Sequence, residues 1–506
     1  MAMLFVFVSI FIVLLMKFLF IDKSRKRRSN LPPSPPIIPI IGNLHQVGSS
    51  SPHLALQTLA QKYGPIIFLQ LGQIPTVVVS SARLAKEVLK THDLALSSRP
   101  QLFSAKYLFY NCTDIAFSPY GDYWRHIRKI CILELLSARR VQSYKCVREE
   151  EVARLVHRVK GSYPGTTDLS KMLGLYANDI LCRVAFGREF SEGGDYQRHG
   201  FQKMLDEYQE LLGGFSVGDF FPSLEFLHSL TSMKSRLQDT SRRFDQLFDQ
   251  ILNEHMSANN VEEHKDLVDV LLEVQKNGSH EMPLTTDNIK AIILDMFAAG
   301  TDTTFITLDW AMTELLMNPQ VMEKAQKEVR SILGERRVVG ESDLHQLEYM
   351  RAIIKEIFRF HPAVPVLLPR ESMEDAVIEG YRIPAKTRFF VNAWAIGRDP
   401  ESWADPNAFK PERFLGSDID YRGQDFELIP FGAGRRGCPG ITFAITTVEL
   451  ALAQLLYSFD WEFPPGITPK DLDLTEVFGI SMHRREHLHV VAKPYFHEDL
   501  GYNKQA

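Results

Sequence analysis

The sequence predicts one large, mainly helical domain with a minor β component, carried behind a single N-terminal transmembrane helix. Three observations predict it. The chain opens on a long apolar run, many later stretches carry apolar residues at helical spacing, and the few short β-like runs do not alternate regularly with the helices. Hydrophobic residues at 45% and charged residues at 24% place the 506-residue chain among globular proteins and exclude a disordered one. A formal net charge of −5 gives no basic character that would draw it to nucleic acid.

From Ala2 to Ile21 only Ser9 and Lys17 interrupt the apolar run. That is long enough to span a hydrocarbon core of about 30 Å as a helix, and Lys17, near its end, can snorkel to the interface. The basic residues Lys23, Arg25, Lys26, Arg27 and Arg28 follow the run, and no small-x-small cleavage site is present. Residues 1–22 therefore read as an uncleaved signal anchor, with everything after them in the cytosol. Residues 23–42 form a basic and proline-rich hinge. Leu31-Pro32-Pro33-Ser34-Pro35-Pro36, continuing to Pro39 and Gly42, excludes helix and favours a stiff strut. From 43 to 506 no repeat or low-complexity linker divides the chain, which reads as one catalytic domain.

Apolar periodicity predicts helices over 81–91, 123–136, 138–159, 241–255, 285–317, 319–333 and 441–458. Strands are predicted at 66–69, 76–79, 377–378, 388–391 and 489–491. The five cysteines, Cys112, Cys131, Cys146, Cys182 and Cys438, are odd in number and form no C-x-x-C pair. Neither a zinc site nor a disulfide framework is indicated, and the first four read as small core residues in a reducing compartment.

Cys438 is different because of its surroundings, Phe431-Gly-Ala-Gly434-Arg-Arg436-Gly-Cys438-Pro-Gly440, followed by a long apolar helix. A cysteine that binds haem iron as thiolate must stay deprotonated, so it wants N–H donors and positive charge close by. Glycines let the loop approach a flat macrocycle, and the start of the next helix adds a partial positive charge. Arg436 suits a haem propionate, and Phe431 can shield the sulfur from water. Gly432-x-Gly434-x-x-Gly437 also fits a dinucleotide fingerprint. That motif needs a preceding strand, whereas Phe426–Phe431 is short and contains Pro430, and no buried parallel strand follows.

The F-x-x-G-x-R-x-C-x-G loop resembles the haem-binding loop of the cytochrome P450 family. The Pro-Pro-Ser-Pro-Pro run and Pro411-Glu-Arg-Phe414 resemble its plant microsomal branch, and the likeness runs from the strut to about residue 495. Gly437 departs from the bulkier apolar residue usual there, which would loosen packing beneath the haem. The resemblance implies the cytochrome P450 fold and haem b (iron protoporphyrin IX) on the Cys438 thiolate. It implies a monooxygenase that uses O2 and NADPH electrons delivered by a separate cytochrome P450 reductase, since the chain itself supplies no convincing nicotinamide or flavin site. It also implies a single-pass anchor in the lipid of the endoplasmic reticulum membrane.

Residue roles follow by the same resemblance. Glu356 and Arg359, in Glu-Ile-Phe-Arg, join Arg413 in a network that supports the haem pocket. Asp302 and Thr303, midway along the longest predicted helix, relay protons in an oxygen groove where the helix opens locally. The plain alternative is a helix whose threonine hydroxyls bond back to its own carbonyls. Trp124, Arg128 and Arg370 join Arg436 as propionate partners. Arg139, Arg140, Arg435 and Arg436 are candidates for docking the reductase, with a solvated face as the plainer reading. The substrate pocket would draw on 102–116, 211–221, 292–304, 363–368 and 477–482, with Phe103, Phe117, Phe215, Phe220, Phe297, Val366, Phe478 and Ile480 among its apolar walls. Such walls suit a hydrophobic, moderately bulky small-molecule substrate; terpenoids, indole-type alkaloids and phenylpropanoids all qualify, with a terpenoid or alkaloid favoured. A haem-thiolate isomerase or dehydratase, acting on a peroxide or oxime without reductase, is a second reading that Asp302-Thr303 speaks against. A non-enzymatic haem sensor, which needs the ligand loop but no oxygen groove, is a third.

Overall fold

The longest periodic run becomes the longest helix, and the rest of the fold is arranged along it. The computed structural model describes residues 30–495 apart from 49–50, 189–200, 214–215, 230, 258–264, 279–281, 335, 337 and 478. The anchor expected at 1–22 and the first part of the hinge lie outside the described residues. Six helices bear on the site and are labelled in chain order: α1 (Asp122–Ile130), α2 (Lys145–Gly161), α3 (Leu169–Phe186), α4 (Thr286–Met317), α5 (Glu348–Phe360) and α6 (Ile441–Ser458).

Helix α4 starts where a capping box allows. Thr285 Oγ1 accepts the Asn288 N–H at 3.2 Å, and Asn288 Oδ1 accepts the Thr285 N–H at 3.0 Å. It ends at Met317, two residues before Pro319, which cannot continue a helix. Helix α3 packs along α4, and α6 packs on α4 and α2. Among the described residues α4 and α6 are long and apolar enough to cross a membrane, yet both are mostly buried inside the fold. They are core helices.

A four-stranded sheet flanks this bundle. Strands β1 (Ile66–Leu71) and β2 (Ile74–Val79) form an antiparallel hairpin with Ile66 opposite Val79 and Leu71 opposite Ile74. Strands β3 (Arg370–Glu371) and β4 (Arg388–Val391) complete it in the order β1-β2-β4-β3, with β4 parallel to β2. A second sheet joins Thr167–Asp168, His489–Pro494 and Phe459–Glu462. The proline strut is fastened to β1: the Phe68 N–H donates to the Pro33 carbonyl at 2.8 Å, and Asn43 Nδ2 donates to Pro36 at 3.2 Å.

Several elements depart from the periodicity. The run over 138–159 is two helices, Ala138–Ser143 and α2, separated at Tyr144. The predicted helices over 81–91 and 123–136 each end in a wider π turn, at Glu87–Thr91 and Cys131–Leu135. The predicted 241–255 helix extends over Ser232–Ser257. Helix α3 was not predicted, because it is buried on nearly every side and shows little amphipathic contrast. Cys112, Cys131 and Cys182 are buried, but Cys146 is exposed on α2, where its thiol donates to Glu150 Oε1 at 3.0 Å. That position faces water, not the core.

Gly42 closes the strut in the left-handed region (φ +62), and a Cβ there would collide with the Gln70 carbonyl oxygen. Gly42→Ala is expected to destabilise the protein by about 1–3 kcal/mol, read as a lowered thermal midpoint.

Candidate functional site

The segment before α6 is a loop closed on itself. Gly432 (φ +65) and Gly434 (φ +68) take the left-handed backbone that glycine permits. The Cys438 N–H donates to the Phe431 carbonyl at 2.9 Å, and the Gly437 N–H donates to Gly434 at 3.0 Å. No strand precedes the loop at 426–430, so the dinucleotide geometry is not built. A Cβ on Gly434 would strike the Leu89 carbonyl and the Asp93 carboxylate, so this residue lets the loop sit against the segment at 89–93. At Gly437 a Cβ would come 3.2 Å from the Gly434 carbonyl oxygen, tight but without collision.

The Cys438 side chain borders a cavity of about 300 Å³. Its sulfur accepts the Gly440 N–H at 3.3 Å. Burial pushes the thiol up, against the smaller pull of that N–H and of Arg128. A cation beside the sulfur would favour its anionic form. Phe431 borders the cavity and lies edge-on to Phe358 and Tyr421, with ring centroids 5.1 and 5.8 Å away.

Four arginines, Arg99, Arg128, Arg370 and Arg436, border the same cavity. Arg436 donates to the carbonyls of Ser97 (2.7 Å), Ile115 (3.3 Å) and Ser118 (2.6 Å), with its guanidinium 4.0 Å from the Trp124 ring. Arg370 pairs with Asp93 at 2.7 Å and donates to Ala433 at 2.8 Å. Arg128 donates to the Gly437 carbonyl at 2.6 Å. Arg99 donates to Ala116, Leu368 and Pro369. Burial, together with Arg370 and Arg128, lowers Arg436 to about 9, and burial with Arg436 and Arg370 holds Arg99 well below its usual value. Asp93 is the carboxylate paired with this set, and it also binds Arg435 at 2.9 Å. A buried surplus of positive charge beside a thiol fits a flat iron group bearing two carboxylates. Arg99 carries no motif in the sequence. Trp124, expected as a propionate partner, is not among the residues that border the cavity; its ring lies against the Arg436 guanidinium and its indole N–H donates to Ile115 at 3.0 Å.

Helix α4 borders the cavity through Met296, Ala299, Gly300, Thr303 and Thr304. It does not open locally. The helix is continuous from Thr286 to Met317, and the Thr303 hydroxyl donates back to the Ala299 carbonyl at 2.7 Å. The Asp302 carboxylate takes a hydrogen bond from the Ser481 hydroxyl, a partner the sequence did not suggest.

Behind the cavity, α5 buries Glu356 and Arg359 as a bidentate pair with both bonds at 2.7 Å. Arg359 also donates to Gly397 and Pro406, and Arg413 reaches Glu356 at 3.1 Å. Of the expected pocket walls, residues from 115–116, 295–304 and 363–368 border the cavity. Phe103, Phe117 and Phe297 instead pack on His228, Phe109 and Phe186. Phe215 and Phe478 lie outside the described residues. Arg436 is buried and so unavailable for docking, whereas Arg139 and Arg435 are exposed.

The family model described as Cytochrome P450 matches residues 32–491. The chain belongs to the cytochrome P450 family. Cytochrome P450 71AP13 of Prunus mume is 76% identical over 96% of this chain and 94% of its own length. Premnaspirodiene oxygenase of Hyoscyamus muticus is 47% identical over 96% and 98%, and strychnine-11-hydroxylase of Strychnos nux-vomica is 44% identical over 98% of each. The zebrafish cytochrome P450 solved with abiraterone superposes with a TM-score of 0.77 at 28% identity, covering 89% of this chain and all of that one. The protein is thus a plant A-type P450, a monooxygenase with the P450 fold and haem b as cofactor.

Two substitutions test this architecture. Gly434→Ala is expected to lower the haem content of the purified P450 several-fold, measured by pyridine haemochrome. Glu356→Ala leaves the buried Arg359 and the half-buried Arg413 without their carboxylate and is expected to cost about 3–5 kcal/mol, read by chemical denaturation.

Proposed function

We propose that this P450 oxidises a small hydrophobic plant specialised metabolite, a terpenoid or alkaloid, with O2 and NADPH electrons passed on by a separate cytochrome P450 reductase. The observation that carries the proposal is one cavity bordered together by Cys438, four arginines and the threonines of an apolar helix. The names of premnaspirodiene oxygenase and strychnine-11-hydroxylase support the substrate classes. Residues 1–22 serve as the endoplasmic reticulum anchor, 23–42 as the hinge and 43–506 as the cytosolic catalytic domain. Arg139, Arg140 and Arg435 contribute to the reductase-facing surface.

Bound haem supplies O2 activation and one-electron chemistry, tuned by its thiolate ligand. Cys438 presents the sulfur, and the Gly440 N–H stabilises charge on it. Arg128, Arg370 and Arg436 hold the two haem carboxylates, with Arg99 beside them, while Trp124 backs Arg436. Phe431 keeps water from the sulfur. Thr303 holds a proton at Oγ1, now given to the Ala299 carbonyl, and delivers it into the cavity when that bond is exchanged. Asp302 resupplies the proton from the Ser481 side. Glu356, Arg359 and Arg413 keep the wall behind the loop in place.

Cys438→Ala is expected to abolish the reduced carbon monoxide band that gives the family its name, and an unchanged spectrum would contradict the ligand assignment. Thr303→Ala, supplied with reductase and a metabolite that the wild type oxidises, is expected to lower product per NADPH by about tenfold or more. Unaltered coupling would remove Thr303 from the proton path.

A further inference from the structure

Asp93 belongs to no motif and is not among the residues that border the cavity, yet it is bonded to two arginines of different kinds. Its Oδ1 accepts from Arg370 Nη1 at 2.7 Å, and its Oδ2 accepts from the Arg435 N–H and from Arg435 Nη1, both at 2.9 Å. Arg370 borders the cavity and is buried, whereas the Arg435 side chain is 47% exposed. Asp93 itself is buried, with both carboxylate oxygens engaged.

Backbone contacts fix the place of this carboxylate. The Glu371 and Met373 N–H groups donate to the Ser98 and Ala95 carbonyls at 2.9 and 2.8 Å, which ties the segment after Asp93 to strand β3 and its Arg370. Gly434 brings the ligand loop against the same group, since a Cβ there would lie 2.7 Å from Asp93 Oδ1. One acid thus joins three segments: the turn at 89–93, β3 and the loop that carries Cys438.

The remaining hydrogen bonds of Arg99, Arg128, Arg370 and Arg436 go to backbone carbonyls, so Asp93 brings the formal negative charge bonded to that set. Haem carboxylates held by the same arginines share Arg370 with it. Reduction of the iron adds a negative charge, which nearby cations favour and nearby anions oppose, most strongly in low dielectric. Asp93 therefore works against reduction. Arg435 takes up the other half of the carboxylate and tempers that effect. A staple between turn and loop would need Arg435 and Asp93 alone, without an arginine of the cavity.

We propose that Asp93 is a positioning residue that sets the reduction potential of the haem through Arg370, and that the exposed Arg435 adjusts it through Asp93. The inference rests on the assignment of Arg370 to a haem carboxylate made above.

The test is the midpoint potential of the haem-loaded full-length enzyme, measured by spectroelectrochemistry with redox mediators. Asp93→Asn keeps the shape but loses the charge, and its single oxygen serves only one of the two arginines. It is expected to raise the equilibrium constant for reduction about tenfold, or about 59 mV for one electron. Arg435→Gln is expected to lower that constant roughly threefold, less because this side chain is half in water. The lowering should persist between about 0.05 and 0.5 M salt, since the charge it uncovers is buried. In the double variant the Arg435→Gln effect should disappear, because the carboxylate that carries it is gone. If Asp93→Asn does not load haem, the sign and salt dependence of Arg435→Gln decide the matter. An unchanged or lowered potential in Asp93→Asn overturns the inference. So does an unchanged or raised one in Arg435→Gln, or a lowering that fades with salt or survives in the double variant. Arg370→Gln separates the two levels. It is expected to lower the potential, and no change there withdraws the Arg370 assignment and the inference together. A shift in Arg370→Gln beside none in Asp93→Asn overturns the inference alone.

Discussion

The site depends on charge balance among the side chains that border one cavity. Arg99, Arg128, Arg370 and Arg436 border it, yet Asp93 is the carboxylate paired with that group and is itself shared with Arg435. Cys438 borders it too and is pushed toward its neutral thiol by burial. Each half of this arrangement is costly by itself, because low dielectric penalises unpaired guanidinium and thiolate alike. A single group that brought two carboxylates to the arginines and a metal cation to the sulfur would relieve both costs together, and haem b, the family's cofactor, carries both.

The scaffold around this balance is rigid where the chemistry requires it. Gly432 and Gly434 bend the ligand loop, the Phe431 carbonyl ties back the Cys438 N–H, and the Glu356–Arg359–Arg413 network pins the segment behind. The continuous α4 brings Asp295, Thr303 and Thr304 to one wall at fixed spacing. Helix and loop meet through the 114–118 segment, whose N–H groups serve the Asp295 and Asp114 carboxyls and whose carbonyls serve the arginines.

Much of this was legible in the sequence, for identifiable reasons. The ligand loop is local, so its glycines, arginines and cysteine sit together in the chain as they do in space. The core helices α4 and α6 carry apolar patterns long enough to read, and Glu356 and Arg359 are one turn apart on α5. Groups joined only by the fold were not legible. Arg99 reaches the cavity, and Asp93 reaches Arg370, from a segment without a motif, Ser481 meets Asp302 across 179 residues, and Ile115 meets Asp295 across a comparable span. The aromatic walls failed for a related reason. Phe103, Phe117 and Phe297 are apolar residues on the expected segments, but each turns to a neighbouring ring in the core. Segment position says which stretch lines a pocket, and packing decides which side chain faces it.

The most direct measurement of the central claim is iron K-edge X-ray absorption on the purified, haem-loaded protein. One sulfur in the first shell of the iron, in addition to the four porphyrin nitrogens, is the result this account predicts. A first shell of nitrogen and oxygen alone would contradict it.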